Sequence, residues 1–185
     1  MAAFQIVGFA IVSADGMLAA ADGIMPSSLK FEADQKFFSD GLDRADLIVH
    51  GRNSYEDQPN SPKRRRLIAT RKVARTASDP SHPNATAWNP AGVSFDEACA
   101  AAGLGAGRAA IIGGTDIFDM FLDRYDIFWL TQAPHVRLPG GVPVFHRIPE
   151  KSPQEILATH GLALAKTTVL DAPHDVRVGE WRRGA

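Results

Sequence analysis

Residues 109–122, AAIIGGTDIFDMFL, decide how the chain is read. An apolar run suited to a buried strand stops at Gly113 and Gly114. The polar pair Thr115–Asp116 then opens a stretch with the pattern of an amphipathic helix. The first amides of a helix lack intrahelical partners and sit at the positive end of its dipole, so such a corner suits a phosphate. Glycine lets the backbone come close and permits positive φ. On this reading Gly113 and Gly114 receive a pyrophosphate and Thr115 adds its hydroxyl. The alternative is a pair of glycines that only makes a tight turn.

Outward from this corner, strands and helices alternate. FQIVGFAIV (4–12) is nearly continuous apolar, as a strand buried on both faces is. SADGMLAAADGIMPSS has two Asp-Gly pairs, a proline and no period, and reads as a loop. A helix is predicted from about Leu29 to Leu42. DLIVHG then reads as a strand, GRNSYED as the start of a second helix, and RRRLIAT as a strand. Residues 71–92 are polar and proline-punctuated, with at most one short strand at Ala85–Trp88. SFDEACAAAG carries a capping box, Ser94 to Glu97, and a glycine stop. TDIFDMFLDR reads as a helix and DIFWLTQAP as a strand. The tail from about Leu162 to Trp181 reads as two strands around DAPHD, an antiparallel hairpin. Such alternation means crossover units, a mainly parallel sheet and helices on both faces. The expected fold is therefore three-layer α/β, one domain over residues 1–185. Ligands of such sheets bind outside the carboxyl ends of the strands. If Gly51 and Gly113–Gly114 share that edge, two helix N-termini face one anionic ligand.

The bulk numbers narrow the class. The chain has 185 residues, 45% hydrophobic and 22% charged, with net charge −1. That balance argues against a general nucleic-acid or membrane binder. The single cysteine, Cys99, forms no intramolecular disulfide and supplies no metal cluster, so a reducing, cytoplasmic setting is expected. The histidines lack metal-ligand spacing and no Gly-x-Ser-x-Gly elbow occurs, so neither a metal site nor hydrolase chemistry is expected.

Three further stretches carry candidate chemistry. VHGRNSYE sets Gly51, Arg52, Asn53 and Ser54 where a strand ends, and Arg52 suits a charge-assisted phosphate contact; a solvated arginine with an N-cap serine is the plainer reading. KRRRLIATRK places Lys63–Arg66 before a strand and Thr70 and Arg71 at its carboxyl end, where a cofactor's extra phosphate is held, or else forms a solvated basic edge. Asp34 is the most telling residue. At 100° per residue Phe31, Phe38 and Leu42 form one stripe, and Asp34 lies within about 60° of it. Either it reaches past the edge of the apolar face to water, or it is a buried carboxylate of raised pKa that binds a cationic or donor-rich heterocycle. Asp15 and Asp22, in the glycine-containing loop, are expected only to make turns.

In their order and spacing these segments resemble the dihydrofolate reductase superfamily. EADQKFF resembles its acidic helix, and VHGRNSYE its strand-Gly-Arg-x-Thr/Ser-aromatic-Glu element. SPKRRRLIAT resembles the basic stretch leading into the next strand, and SFDEACAAA the helix before the glycine turn. AAIIGGTDIFDMFLDRYDIFWLT resembles its Ile-Gly-Gly segment through to a strand ending Leu-Thr. The resemblance covers most of residues 4–150. It implies an eight-stranded sheet and an NADPH-dependent reductase, monomer or homodimer. Gly51–Ser54, Thr70, Arg71 and Gly113, Gly114, Thr115, Asp116 and Ile117 would hold the cofactor's adenosine side and pyrophosphate. Ala10, Leu18 and Ala19 would line the nicotinamide, under a closing loop, 15–28. Asp34 would anchor the substrate ring, supported by Thr131 through water, with Phe38, Ile112 and Phe118 around it. Arg64 would pair a folate's α-carboxylate.

The chain also departs from the pattern. Ser27 follows Met25-Pro26 where tryptophan is frequent, Thr115 replaces a third glycine, and Phe118 replaces a tyrosine. GGVPVF resembles riboflavin-pathway reductase domains. A pterin, dihydrofolate by default, and the ribosylamino-pyrimidine phosphate of riboflavin synthesis are both implied substrates. A non-catalytic nucleotide- or nucleic-acid-binding module on the same fold is the reading from another class.

Overall fold

The computed structural model describes residues 4–184. Six strands run parallel: β1 (Phe4–Ser13), β3 (Leu47–Gly51), β4 (Arg66–Ala69), β6 (Ala85–Trp88), β7 (Gly107–Ile111) and β8 (Ile127–Ala133). Three antiparallel strands complete the sheet: β5 (Thr76–Ser78) at one edge, and β10 (Leu162–Asp171) with β11 (Val176–Arg183) at the other. The order is β10-β11-β8-β1-β7-β3-β4-β6-β5. The sheet thus has nine strands rather than eight, because the polar segment after β4 folds back on β6 as β5. The tail hairpin forms as expected.

β1 explains the layering. Alternate residues enter different cores: Ile6 and Val12 on one face, Val7 and Phe9 on the other. The second face is covered by α1 (Glu32–Asp43), whose Leu42 is buried and whose Phe37 and Phe38 pack on Phe9. Gly41 lets that helix lie close, since a Cβ there would fall 2.6 Å from the Phe9 ring. The first face is covered by α2 (Phe95–Ala101), α3 (Thr115–Met120) and α4 (Pro153–Thr159), through Phe95, Phe118, Phe121, Ile156 and Leu157.

Several expectations need correcting. Residues 29–31 are not helical: Ser27–Leu29 is a 3-10 turn, and Lys30 and Phe31 are extended. Phe31 therefore leaves the α1 stripe and packs with Leu29, Ile11 and the His174 ring. No helix follows Gly51: residues 52–53 turn and 54–58 run irregularly before a 3-10 turn at Ser61–Lys63. The helix after Gly114 is only six residues long. The loop after β1 contains a strand, β2 (Met17–Ala19), held by β9 (Val142–Pro143). Asp15 does more than turn the chain, because it accepts the Ser13 hydroxyl and the Leu138 amide at 2.6 and 3.0 Å. Asp22 makes the expected turn, accepting from the Ile24 amide. Helix α4 escapes the sequence reading although Ser152 and Glu155 form the same capping box as Ser94 and Glu97.

Candidate active site

The order reverses at β1: the chain leaves it for β3 on one side and later reaches β8 on the other. Such a reversal opens a crevice at the carboxyl ends of the strands. Here it is a cavity of about 760 Å³, within the usual size for a small-molecule site. β1 contributes Phe9, Ala10 and Ile11 to its wall, and β8 contributes Trp129 and Thr131. These stand side by side, since Phe9 is the register partner of Trp129 and Ile11 of Thr131.

The two glycine corners meet at this opening. The Gly51 amide donates to the Gly113 carbonyl at 2.8 Å. Gly113 has φ +103°, and a Cβ on it would lie 2.8 Å from the Phe118 ring. The Gly113–Gly114 peptide is cis. Gly114 itself lines the cavity beside Ser54. A Cβ on Gly114 would come within 3.3 Å of the Ser54 hydroxyl. At this corner Gly114 thus presents bare backbone to the cavity.

Asp34 enters from the first turn of α1 and is 8% exposed. Burial raises its pKa from 3.8 to about 6, opposed by a hydrogen bond with the Thr131 hydroxyl. Burial disfavours the ionised form, so the carboxyl holds a proton up to mildly acidic pH. Of the two sequence expectations for the Asp34 side chain, reach to water or burial, burial is observed.

Eleven of the residues singled out in the sequence line this one cavity: Asp34 and Thr131; Ala10, Leu18 and Ala19; Asn53, Ser54 and Gly114; and Phe38, Ile112 and Phe118. Nine do not. Gly51 and Gly113 form the corner. Arg52, Thr70 and Arg71 lie farther along the same sheet edge, as Gly51 pairs with Ala69. Arg52 and Arg71 are exposed and carry no ion pair among the described residues. Thr70 accepts the Lys72 amide at 3.2 Å.

The side chains of the remaining four are engaged elsewhere. Thr115 donates its hydroxyl proton to the Pro143 carbonyl at 2.5 Å. The Asp116 carboxylate faces away to His146, 3.1 Å off. Ile117 is buried in the core and its amide is bonded to the Gly114 carbonyl. Arg64 points into a buried polar cluster behind the cavity wall. Its Nη2 lies 2.6 Å from Asp43 and its Nη1 2.6 Å from Gln58.

That cluster also fixes the exit of β3. Arg66 is a permanent donor, 3.3 Å from His50 Nε2, so Nε2 accepts. The other ring nitrogen, Nδ1–H, then donates to the Gly51 carbonyl at 2.7 Å. Burial drives the His50 pKa down to about 4, keeping the ring neutral. Arg66 also pairs with Glu56 and stacks 4.3 Å over the Tyr55 ring.

Trp129, Phe37 and Gln58 line the cavity without having been singled out in the sequence. A signal existed for Trp129, which shares Thr131's face at a spacing of two in a strand. Cys99 is buried and its thiol is pushed up to about 12, so it supplies no thiolate near neutral pH. Among the described residues no cluster suits a metal ion, and no helix is long and apolar enough to cross a membrane.

This strand order and cavity have known counterparts. The fold is that of dihydrofolate-reductase-like proteins. A Shewanella sp. PV-4 protein described as one of riboflavin biosynthesis superposes with a TM-score of 0.68 at 19% identity, over 98% of this chain and 100% of that one. Dihydrofolate reductase from Enterococcus faecalis, complexed with NADP(H) and RAB-propyl, superposes with a TM-score of 0.66 at 16% identity, over 98% and 97%. No family model and no curated relative matches the sequence. At such identities the dihydrofolate-reductase-like likeness is one of fold.

Proposed function

We propose that the protein is an NADPH-dependent reductase that delivers a hydride to a C=N bond of a pterin-like heterocycle. The observation that carries this reading is the buried Asp34 carboxyl in the cavity that opens between the Gly51 and Gly113 corners. A buried carboxyl that shares a proton at mildly acidic pH suits a ring edge rich in N–H donors.

The residues present fit a nicotinamide dinucleotide. Bare backbone at Gly114 and the unpaired first amides of α3, those of Thr115 and Asp116, suit its pyrophosphate. Arg52 and Arg71 suit the additional phosphate that distinguishes NADPH from NADH. Ala10, Leu18 and Ala19 offer small apolar surface to a flat ring. When bound, the nicotinamide supplies the hydride. The protein's own part is to place the heterocycle between Phe38, Trp129 and Ile112, and to bind its amidine-like edge at Asp34. Asp34 then favours the protonated C=N nitrogen that accepts hydride most readily. Ile24 is 66% exposed, and Met25 beside it lines the cavity mouth. These two are positioned to cover a bound ring and exclude water.

A second reading is reduction of a ribosylamino-pyrimidine. It is favoured by GGVPVF and by the likeness to the Shewanella protein. The deciding measurement is loss of NADPH absorbance with a panel of dihydropterins and the riboflavin-pathway pyrimidine. Turnover with a dihydropterin supports the first reading, and with the pyrimidine alone the second. NADPH binding with no turnover on any of them points to a non-catalytic binding module.

A further inference from the structure

Arg64 lies behind Ser39 and Gln58, which line the cavity, and all three of its guanidinium nitrogens are already hydrogen-bonded. Nε donates to Asp43 at 3.1 Å, and Nη2 to Asp43 at 2.6 Å and to the Ser39 hydroxyl at 3.2 Å. Nη1 donates to Gln58 at 2.6 Å and faces Glu56 at 3.1 Å. Guanidinium has five N–H donors, and here Nε, Nη1 and Nη2 each have a hydrogen-bond acceptor, with Glu56 adding a charge contact at Nη1. The Arg64 side chain is 6% exposed. Glu56 is shared with Arg66, so two arginines stand against Glu56 and Asp43 and the cluster is neutral with His50 uncharged.

The surface this cluster shows the cavity is not cationic. Gln58 lines the wall while its carbonyl oxygen faces Arg64, leaving its amide NH₂ to donate. Glu56 and Asp57 line the wall beside it. The two wall lysines bring no excess positive charge: Lys36 is paired with Asp40 at 2.7 Å, and Glu32, Asp34, Glu56 and Asp57 line the same cavity. A carboxylate or phosphate entering here would have to displace Asp43 or Glu56 from a bidentate-capable arginine. It would also meet the Asp57 carboxylate on the same wall.

We propose that Asp43, Glu56 and Gln58 set the substrate specificity by saturating Arg64. The heterocycle reduced then carries an uncharged or cationic arm, not an anionic tail. This rests on the reductase reading above and narrows its substrate to pterins without a carboxylate tail. Gln58 would donate to a neutral acceptor on that arm, such as a hydroxyl or carbonyl oxygen.

The test uses the full chain saturated with NADPH and a matched pair, dihydrofolate and its dimethyl ester, in which two methyl groups replace the two tail charges. The expected result is an acid that binds less than threefold more tightly than the ester. An acid three-fold or more tighter overturns the proposal. Asp43→Asn releases donors on Arg64 and is expected to raise affinity for the acid about tenfold while leaving the ester unchanged. If neither compound binds, the pterin reading fails, and the proposal is judged on the protein alone. There the Arg64 Nε–H resonance is followed by NMR during titration with inorganic phosphate and with glutarate. An unmoved resonance supports a saturated guanidinium, and a shift with either anion overturns it.

Discussion

The Gly51 amide donates to the Gly113 carbonyl at 2.8 Å, joining corners 62 positions apart in the chain into one wall. The contact works because β3 and β7 are adjacent parallel strands whose register, Val49 opposite Ile111, carries Gly51 level with Gly113. Their exits therefore open at one edge, and the crevice between them runs down to Asp34.

Asp34→Asn tests the carboxyl directly. Asn keeps the size but neither ionises nor stabilises a cationic ring. Turnover is expected to fall roughly 100- to 10,000-fold, the range for a lost acid–base group. The NADPH dissociation constant should stay within about twofold. Unchanged turnover would remove Asp34 from the chemistry.

The same substitution should alter stability with pH. Asp34 has a pKa raised to about 6, so between about pH 4 and 6 the folded state holds more protons and stability falls as pH rises. His50, lowered to about 4, has the opposite sign: the unfolded chain holds more protons between about pH 4 and 6.5, and stability rises with pH. Each is worth about 3 kcal/mol at most. The two slopes offset in the wild type, whose urea midpoint should change little across this window. Asp34→Asn should be more stable than wild type at pH 7 and should show the His50 slope alone, losing stability as pH drops from 6.5 to 4.5. A flat profile in the variant would contradict the neutral His50.

Gly113→Ala places a methyl against the Phe118 ring at φ +103°. A loss of about 2 kcal/mol or more is expected from the combined strain and clash. Because the corner carries the dinucleotide in this reading, NADPH affinity should fall further than the loss of folded protein explains. Calorimetry and a fluorescence titration together separate the two effects.

Arg52→Ala and Arg71→Ala address cofactor choice. Both side chains are exposed, so stability should move by less than about 0.5 kcal/mol. Each is expected to weaken NADPH binding about tenfold, one charge-assisted contact, and to leave NADH unchanged. Equal losses for both cofactors would place the arginines away from the extra phosphate.

The glutamine, tryptophan and arginine around the cavity show how far sequence reading reaches. Trp129 was recoverable from its spacing to Thr131, and α4 from its capping box, since both signals are local. Gln58 was not, because nothing in QPNSPKRRR indicates which acceptor an arginine will choose.

The amino-acid sequence alone determined the layers and the line of the site. An unbroken apolar β1, glycines at strand ends and alternating periodicities dictate a parallel sheet, and Asp34 beside an apolar arc offers a buried carboxyl as one of two readings. These are properties of neighbouring residues, which backbone sterics and side-chain periodicity impose wherever they occur. Only the tertiary structure decided that Gly51 leads into no helix, that a ninth strand forms, and that Arg64 is taken by Asp43, Glu56 and Gln58. A charged side chain satisfies itself with whichever acceptors folding brings within reach. Asp43 lies 21 residues away in the chain and 2.6 Å away in space.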